Sequence, residues 1–255
     1  MKLRTFVQET FRSDYTCPLC GREKFDETPF CKRCETLFAE PRLFVCPKCG
    51  RRSVSEGLCS DCKHLPPAFT HCRSFADYEP PLSYAVIKMK FHNQPFLAAP
   101  LAQKLVDVWQ KEGLAADGVC FIPLHEKRMK KRGYNQSELL ARHFSEATGV
   151  PIVCALTKKK ESKEQRTLSR EARKKNLSNC FSADKKAVGG KTLLLIDDVI
   201  TTGATLDEAA ATLKKAGAVN VYCLAVCATP GPALKNLQKP KKSFFSRLFG
   251  KKETK

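Results

Sequence analysis

The chain has 255 residues, enough for one core of ordinary size and an appendage, and it sets 45 Lys and Arg against 26 Asp and Glu for a formal net charge of +19. Such an excess attracts polyanions (nucleic acid, phosphorylated metabolites, an anionic membrane surface) and does not choose among them. No apolar stretch reaches the roughly 18 residues of a transmembrane segment, and Met1-Lys-Leu-Arg-Thr-Phe-Val-Gln-Glu9 lacks the apolar run of a secretion signal. The expectation is a cytoplasmic protein.

The first elements are set by cysteine. Of 14 cysteines, eight form four Cys-x-x-Cys pairs: Cys17/Cys20, Cys31/Cys34, Cys46/Cys49 and Cys59/Cys62. Two thiolates two residues apart hold two corners of a tetrahedron, and a second pair across a short hairpin supplies the others. Cys17-Pro-Leu-Cys20-Gly21 recurs as Cys46-Pro-Lys-Cys49-Gly50, each glycine suited to the tight turn after the second ligand. Two consecutive zinc ribbons follow, with structural Zn²⁺ because four protein ligands leave no open position. So small a segment draws its stability from metal. A cross-braced grouping satisfies the same counts, but sequential grouping closes shorter loops. A redox couple would call for one pair near a βαβ unit, not four in a row. His64 and His71 read as surface histidines. Residues 1–70 are the zinc-ribbon domain, 71–232 the body and 233–255 a tail.

From Phe75 the pattern turns to α/β. Leu97 to Trp109 has helical apolar spacing, and Val119 to Ile122 reads as a buried strand. Next comes Pro123-Leu-His125-Glu-Lys127-Arg128-Met-Lys-Lys131-Arg132-Gly133-Tyr134-Asn135-Gln136, a basic loop expected at a strand's carboxyl end, with Asn135 or Ser137 capping a helix that runs to Thr148. Pro151 to Cys154 is a further strand. The charged stretch from Lys158 to Asn176 is either a linker or a lid.

Leu193 to Ile196 is a buried strand ending in Asp197 and Asp198, followed by Thr201, Thr202, Gly203, Ala204 and Thr205 and by an amphipathic helix from Asp207 to Ala216. The small turn residues let backbone N–H groups approach an anion at a helix start. Adjacent carboxylates at a strand's carboxyl end suit a vicinal diol. A phosphate and a diol together describe a ribose 5-phosphate. No Walker A string and no Gly-x-Gly-x-x-Gly occurs. Asn220 to Val226 is the last strand, and the alternation of strands and helices indicates a doubly wound, mainly parallel sheet.

The string from Leu193 to Leu206 resembles the phosphoribosyl-pyrophosphate (PRPP) motif of the type I phosphoribosyltransferases: hydrophobic strand, two acids, Thr-Thr-Gly-x-Thr. The basic segment resembles the Pro-Leu-His-x-x-Arg-x-x-x-Arg-Gly-Phe-Asn-Gln stretch of the ComF family, with Tyr134 for Phe. Gln165, Leu168, Arg173 and Asn176 match that family's Gln-x-x-Leu-x-x-x-x-Arg-x-x-Asn segment. Over about residues 17 to 230 the chain is similar to this competence-associated family. The resemblance implies displacement of pyrophosphate from C1 of PRPP, with Asp197 and Asp198 on the ribose diol, Mg²⁺ bridging diol and pyrophosphate, and the 201–205 turn on the 5-phosphate. Arg128, Arg132 and the lid cations Lys163 and Arg166 would neutralise the leaving group. It also implies a link to uptake of single-stranded DNA and to competence proteins as partners. No general base is evident, so a non-catalytic nucleotide-sensing, single-stranded-DNA-binding accessory protein is the alternative. Ala204 stands where several salvage relatives have a second glycine.

In the tail, Phe244, Phe245, Leu248 and Phe249 share one helical face among cations. Peripheral membrane contact, partner docking and a frayed terminus all fit.

Overall fold

In a computed structural model, which describes residues 16–25, 28–38, 44–160 and 179–235, each half of the cysteine-rich segment folds around one tight turn. Gly21 N donates to Cys17 O at 2.8 Å and Gly50 N to Cys46 O at 2.9 Å. One antiparallel bridge closes each turn, Thr16 with Glu23 and Val45 with Arg52. Gly50 is required twice over: its φ is +70°, and a Cβ there would lie 2.5 Å from the Cys72 carbonyl oxygen. The later pair of each half sits at the start of a short helix, α1 (Lys32–Phe38) or α2 (Ser60–His64), and not on a second hairpin.

The body runs β1 (Cys72–Asp77), α3 (Leu82–Phe91), α4 (Ala98–Glu112), β2 (Gly118–Phe121), α5 (Glu126–Arg132), α6 (Gln136–Thr148), β3 (Leu156–Lys158), β4 (Phe181–Ala183), β5 (Thr192–Ile200), α7 (Ala204–Lys215) and β6 (Asn220–Ala228). The main sheet has the order β1-β6-β5-β2, with every pair parallel. β3 and β4 form a separate antiparallel pair. Leu193 to Ile196 and Val221, Cys223 to Ala228 are fully buried, as parallel strands covered on both faces require.

The covering helices divide between two apolar clusters. Leu194, Ile196, Leu224 and Val226 pack with α3, α4 and α6; Leu193, Leu195, Cys223 and Ala225 pack with α7. Trp109 of α4 meets Phe144 of α6 edge to face at 5.8 Å. The first cysteine group belongs to the α3–α4 cluster and the second to the α7 cluster.

Several expectations need correction. Pro151 to Cys154 makes only one bridge, Ile152 to Val119; Pro151 has no N–H to extend the ladder. The helix expected from Asp207 begins at Ala204. β1 and α3 were not anticipated, because Arg73, Ser74 and Asp77 break the strand's apolar signal and α3 has Ser, Tyr and Lys among its apolar positions. His71 is half-buried and not freely exposed: its ring lies 4.8 Å from that of Tyr222, its Nε2 is buried, and burial followed by Arg73 holds it below the ordinary histidine range.

Candidate functional site

β2 leads to a helix on one face of the sheet and β5 to a helix on the other, so the chain diverges at their carboxyl ends. Such a switch point opens a crevice where doubly wound sheets take ligands. β5 does not stop at its carboxylates, however. It continues to Ile200, paired with Ala228, so Asp197 and Asp198 lie inside the strand and are held by its ladder.

Asp198 is only 3% exposed. Its Oδ1 meets Lys90 Nζ of α3 at 2.8 Å, while its buried Oδ2 has no hydrogen-bond partner among the described residues. Asp197 Oδ1 accepts from Ser137 Oγ in the first turn of α6 and from the Asp198 N–H, both at 2.9 Å. These bonds engage one oxygen of each carboxylate. Burial and then the Asp198 charge push the Asp197 carboxyl up to about 7, against Lys90, the Asp198 N–H and Ser137. Burial works to lower the Lys90 ammonium, but Asp198 and Asp197 outweigh it and hold it above its ordinary value.

Thr201, Thr202 and Gly203 form the turn, and Ala204 and Thr205 are the first two residues of α7. Gly203, the N-cap of α7, has φ +78°, a left-handed conformation that glycine adopts without strain, and the first-turn N–H groups of a helix have no intrahelical acceptors. Ala204 N donates to Thr202 Oγ1 at 3.4 Å and Asp207 N to Gly203 O at 2.8 Å. The Thr201 carbonyl accepts from Thr229 Oγ1 at 3.0 Å and from Arg51 Nη1 at 3.3 Å.

The basic segment is a helix and not a loop. His125 Nδ1 accepts from Lys127 N at its start, and Gly133, at φ +82°, ends it. Arg128 lies in the middle of α5. Arg132 Nη1 donates to Gln136 Oε1 at 2.5 Å, and its guanidinium lies 5.3 Å from the centre of the Phe91 ring. Asn135 caps α6 through Ser137 N and donates to Ile122 O at 3.0 Å; Tyr134 OH bonds Met89 O. The end of α3, the start of α6 and the acid pair are thus brought together with Arg132 at their border. Lys163 and Arg166 lie outside the described residues, as do Gln165, Leu168, Arg173, Asn176 and the tail beyond residue 235. Lys90 escaped the sequence reading because it sits in the weakly patterned Lys88-Met-Lys90. Ser137 was visible only as a cap.

The eight cysteines form two groups, Cys17, Cys20, Cys31, Cys34 and Cys46, Cys49, Cys59, Cys62, with all sulfurs of a group within 4.8 Å of one another. Cys17 to Cys34 is 3.8 Å, Cys20 to Cys31 3.6 Å and Cys49 to Cys59 3.7 Å. Thiolates ~2.3 Å from a shared tetrahedral ion stand ~3.8 Å apart, so both groups fit a metal in the sequential arrangement. No helix among the described residues is long and apolar enough to cross a membrane.

The phosphoribosyl transferase domain family matches residues 130–251. DNA utilization protein YhgH of Salmonella typhimurium is 34% identical over 74% of this chain and 86% of that protein. Competence protein F of Haemophilus influenzae is 33% identical over 62% of this chain and 73% of its own length. A crystal structure of adenine phosphoribosyltransferase is 21% identical, with a TM-score of 0.37, over 58% of this chain and 77% of that one. With relatives at this identity covering most of both chains, the protein belongs to the ComF family, and its body is a type I phosphoribosyltransferase-type domain.

Proposed function

We propose that the chain binds PRPP and transfers its phosphoribosyl group to an acceptor with release of pyrophosphate. One observation carries this reading: a half-buried and a buried acid, Asp197 and Asp198, each with one oxygen tied by protein, stand just before a small-residue turn at a helix N-terminus. Asp197 and Asp198 would take the ribose hydroxyls, Asp198 through its buried unpartnered Oδ2. Backbone N–H groups of Thr201 to Thr205 would hold the 5-phosphate. Lys90 and Ser137 orient the two carboxylates before substrate arrives. Arg128 and Arg132, with Lys163 and Arg166, would face the leaving pyrophosphate. A Mg²⁺ ion entering with the substrate would lie near Asp197 and Asp198 and would supply neutralisation of the pyrophosphate charge. In the head, the all-sulfur donor sets suit Zn²⁺ in a structural role, with residues 1–70 as the zinc-binding domain.

The test is pyrophosphate release from PRPP across a panel of acceptors, native chain against the Asp197→Asn/Asp198→Asn double variant. Release by the native chain alone supports transfer; no release with any acceptor, or equal release by both, overturns it.

A second reading is a non-catalytic single-stranded-DNA-binding accessory of cytoplasmic competence machinery, with the tail touching partners or membrane. It is favoured by the five cations of α5, with Arg132 beside the 62% exposed Phe91, since stacking next to cations suits single strands. DNA binding that survives the double variant in the absence of turnover would select it.

A further inference from the structure

Arg51 is the bulkiest of the fully buried side chains, 1% exposed, and all three of its nitrogens are engaged. Nε donates to Cys49 Sγ at 3.4 Å, and Nη2 donates to Asp61 Oδ2 at 2.7 Å and to Cys59 Sγ at 3.7 Å. Nη1 reaches out of the cysteine group to the Thr201 carbonyl at 3.3 Å, the first residue of the turn. A guanidinium is a rigid planar fork, so its two ends move together. A divalent ion drawing four sulfurs to one point therefore fixes two of the atoms that position this fork, and the fork fixes the carbonyl. Four thiolates around such an ion also leave net negative charge beside Arg51, which keeps a buried cation there tolerable. The same segment also meets the elements that flank the turn: Ala68 N donates to Asp207 Oδ1 in α7 at 2.7 Å, and Gly231 N, beyond β6, to Arg52 O at 2.9 Å. The first cysteine group has no such route through Arg51; Lys88 of α3 bonds the Pro18 and Leu19 carbonyls instead.

We propose that Arg51 is a positioning residue that couples the second cysteine group to the phosphate turn: metal at Cys46, Cys49, Cys59 and Cys62 holds residues 201–205 ready for an anion, and a phosphate seated in the turn retains that metal. The ligand half rests on the reading of the turn as a ribose 5-phosphate cradle. Coupling between two binding events is reciprocal, so each half can be measured separately.

The experiment uses the full chain with its metal content measured. Hydrogen exchange over residues 198–206 is followed in the native protein, in Arg51→Met and in Asp61→Asn, which keeps Arg51 but removes its charged anchor. With both metals bound, Arg51→Met should exchange the turn about tenfold faster, the scale of losing a hydrogen bond from a charged donor. Asp61→Asn should shift the same way by less, while α4 and α6 exchange as in the native chain. In the second arm, ribose 5-phosphate should slow release of one of two metal ions to a chromogenic chelator about fivefold in the native protein and leave it unchanged in Arg51→Met. Native exchange in the turn of both variants, or acceleration spread evenly over the chain, overturns the coupling, as does equal ligand retention of metal in Arg51→Met. Should ribose 5-phosphate fail to bind the native chain, the cradle reading falls while the exchange arm still judges Arg51.

Discussion

Replacing Lys90 by Met removes the ammonium 2.8 Å from Asp198 Oδ1 and leaves a carboxylate of 3% exposure without its cation. At an effective dielectric constant of ~20, two unit charges at that separation attract by ~6 kcal/mol before desolvation. Breaking a buried pair costs ~3–5 kcal/mol; with Lys90 21% exposed, the lower end applies, about 3 kcal/mol at pH 8. In an Asp198→Asn background the lysine has no carboxylate partner at that position, and the same replacement should cost less than ~1 kcal/mol. Urea unfolding of the native chain, both single variants and the double variant reads the difference directly. An equal loss in the two backgrounds would refute the reasoning and assign the effect to packing of the lysine stem.

Three further outcomes are expected. Asp197, pushed up to about 7, should lower stability as pH rises from about 4 to 7, so Asp197→Asn should match the native chain at pH 4 and exceed it by ~1–2 kcal/mol at pH 8 in denaturant unfolding without ligand; a variant no more stable at pH 8 contradicts the shift. Gly50→Ala combines a positive φ with a Cβ 2.5 Å from Cys72 O, whereas Gly203→Ala has a positive φ but nothing nearer than Ile200 Cγ2 at 4.0 Å; the first should lose ~3 kcal/mol or more and the second ~1 kcal/mol, and the reverse order in chemical denaturation would count against the packing described. Elemental analysis should return two zinc ions per chain and one for Cys59→Ser, with chelation of both lowering the unfolding temperature; two ions retained by the variant would break the grouping.

Much of this was legible in the sequence because local chemistry fixed it. Four Cys-x-x-Cys pairs with short intervals leave few ways to arrange eight sulfurs, and an apolar run such as Leu193 to Ile196 is a covered parallel strand whatever surrounds it. The elements at 98–112, 136–148 and 220–228 followed from periodicity, with Asn135 marking one start. What escaped depends on contacts distant in sequence. β1 is short and half polar, and becomes a strand only because β6 pairs with it. Lys90 and Ser137 gain their roles from approaching Asp198 and Asp197 across 108 and 60 positions. Arg51, an ordinary cation after a zinc-knuckle glycine, is buried only because the second cysteine group packs behind the turn.

The central claim is that the acid pair and the 201–205 turn form one ribose 5-phosphate site. Titration calorimetry of PRPP with Mg²⁺ into the native chain and into Asp197→Asn/Asp198→Asn tests it most directly. Losing two charge-assisted hydrogen bonds should weaken binding by about a hundredfold or more; no binding to the native chain, or equal binding to the double variant, would contradict it.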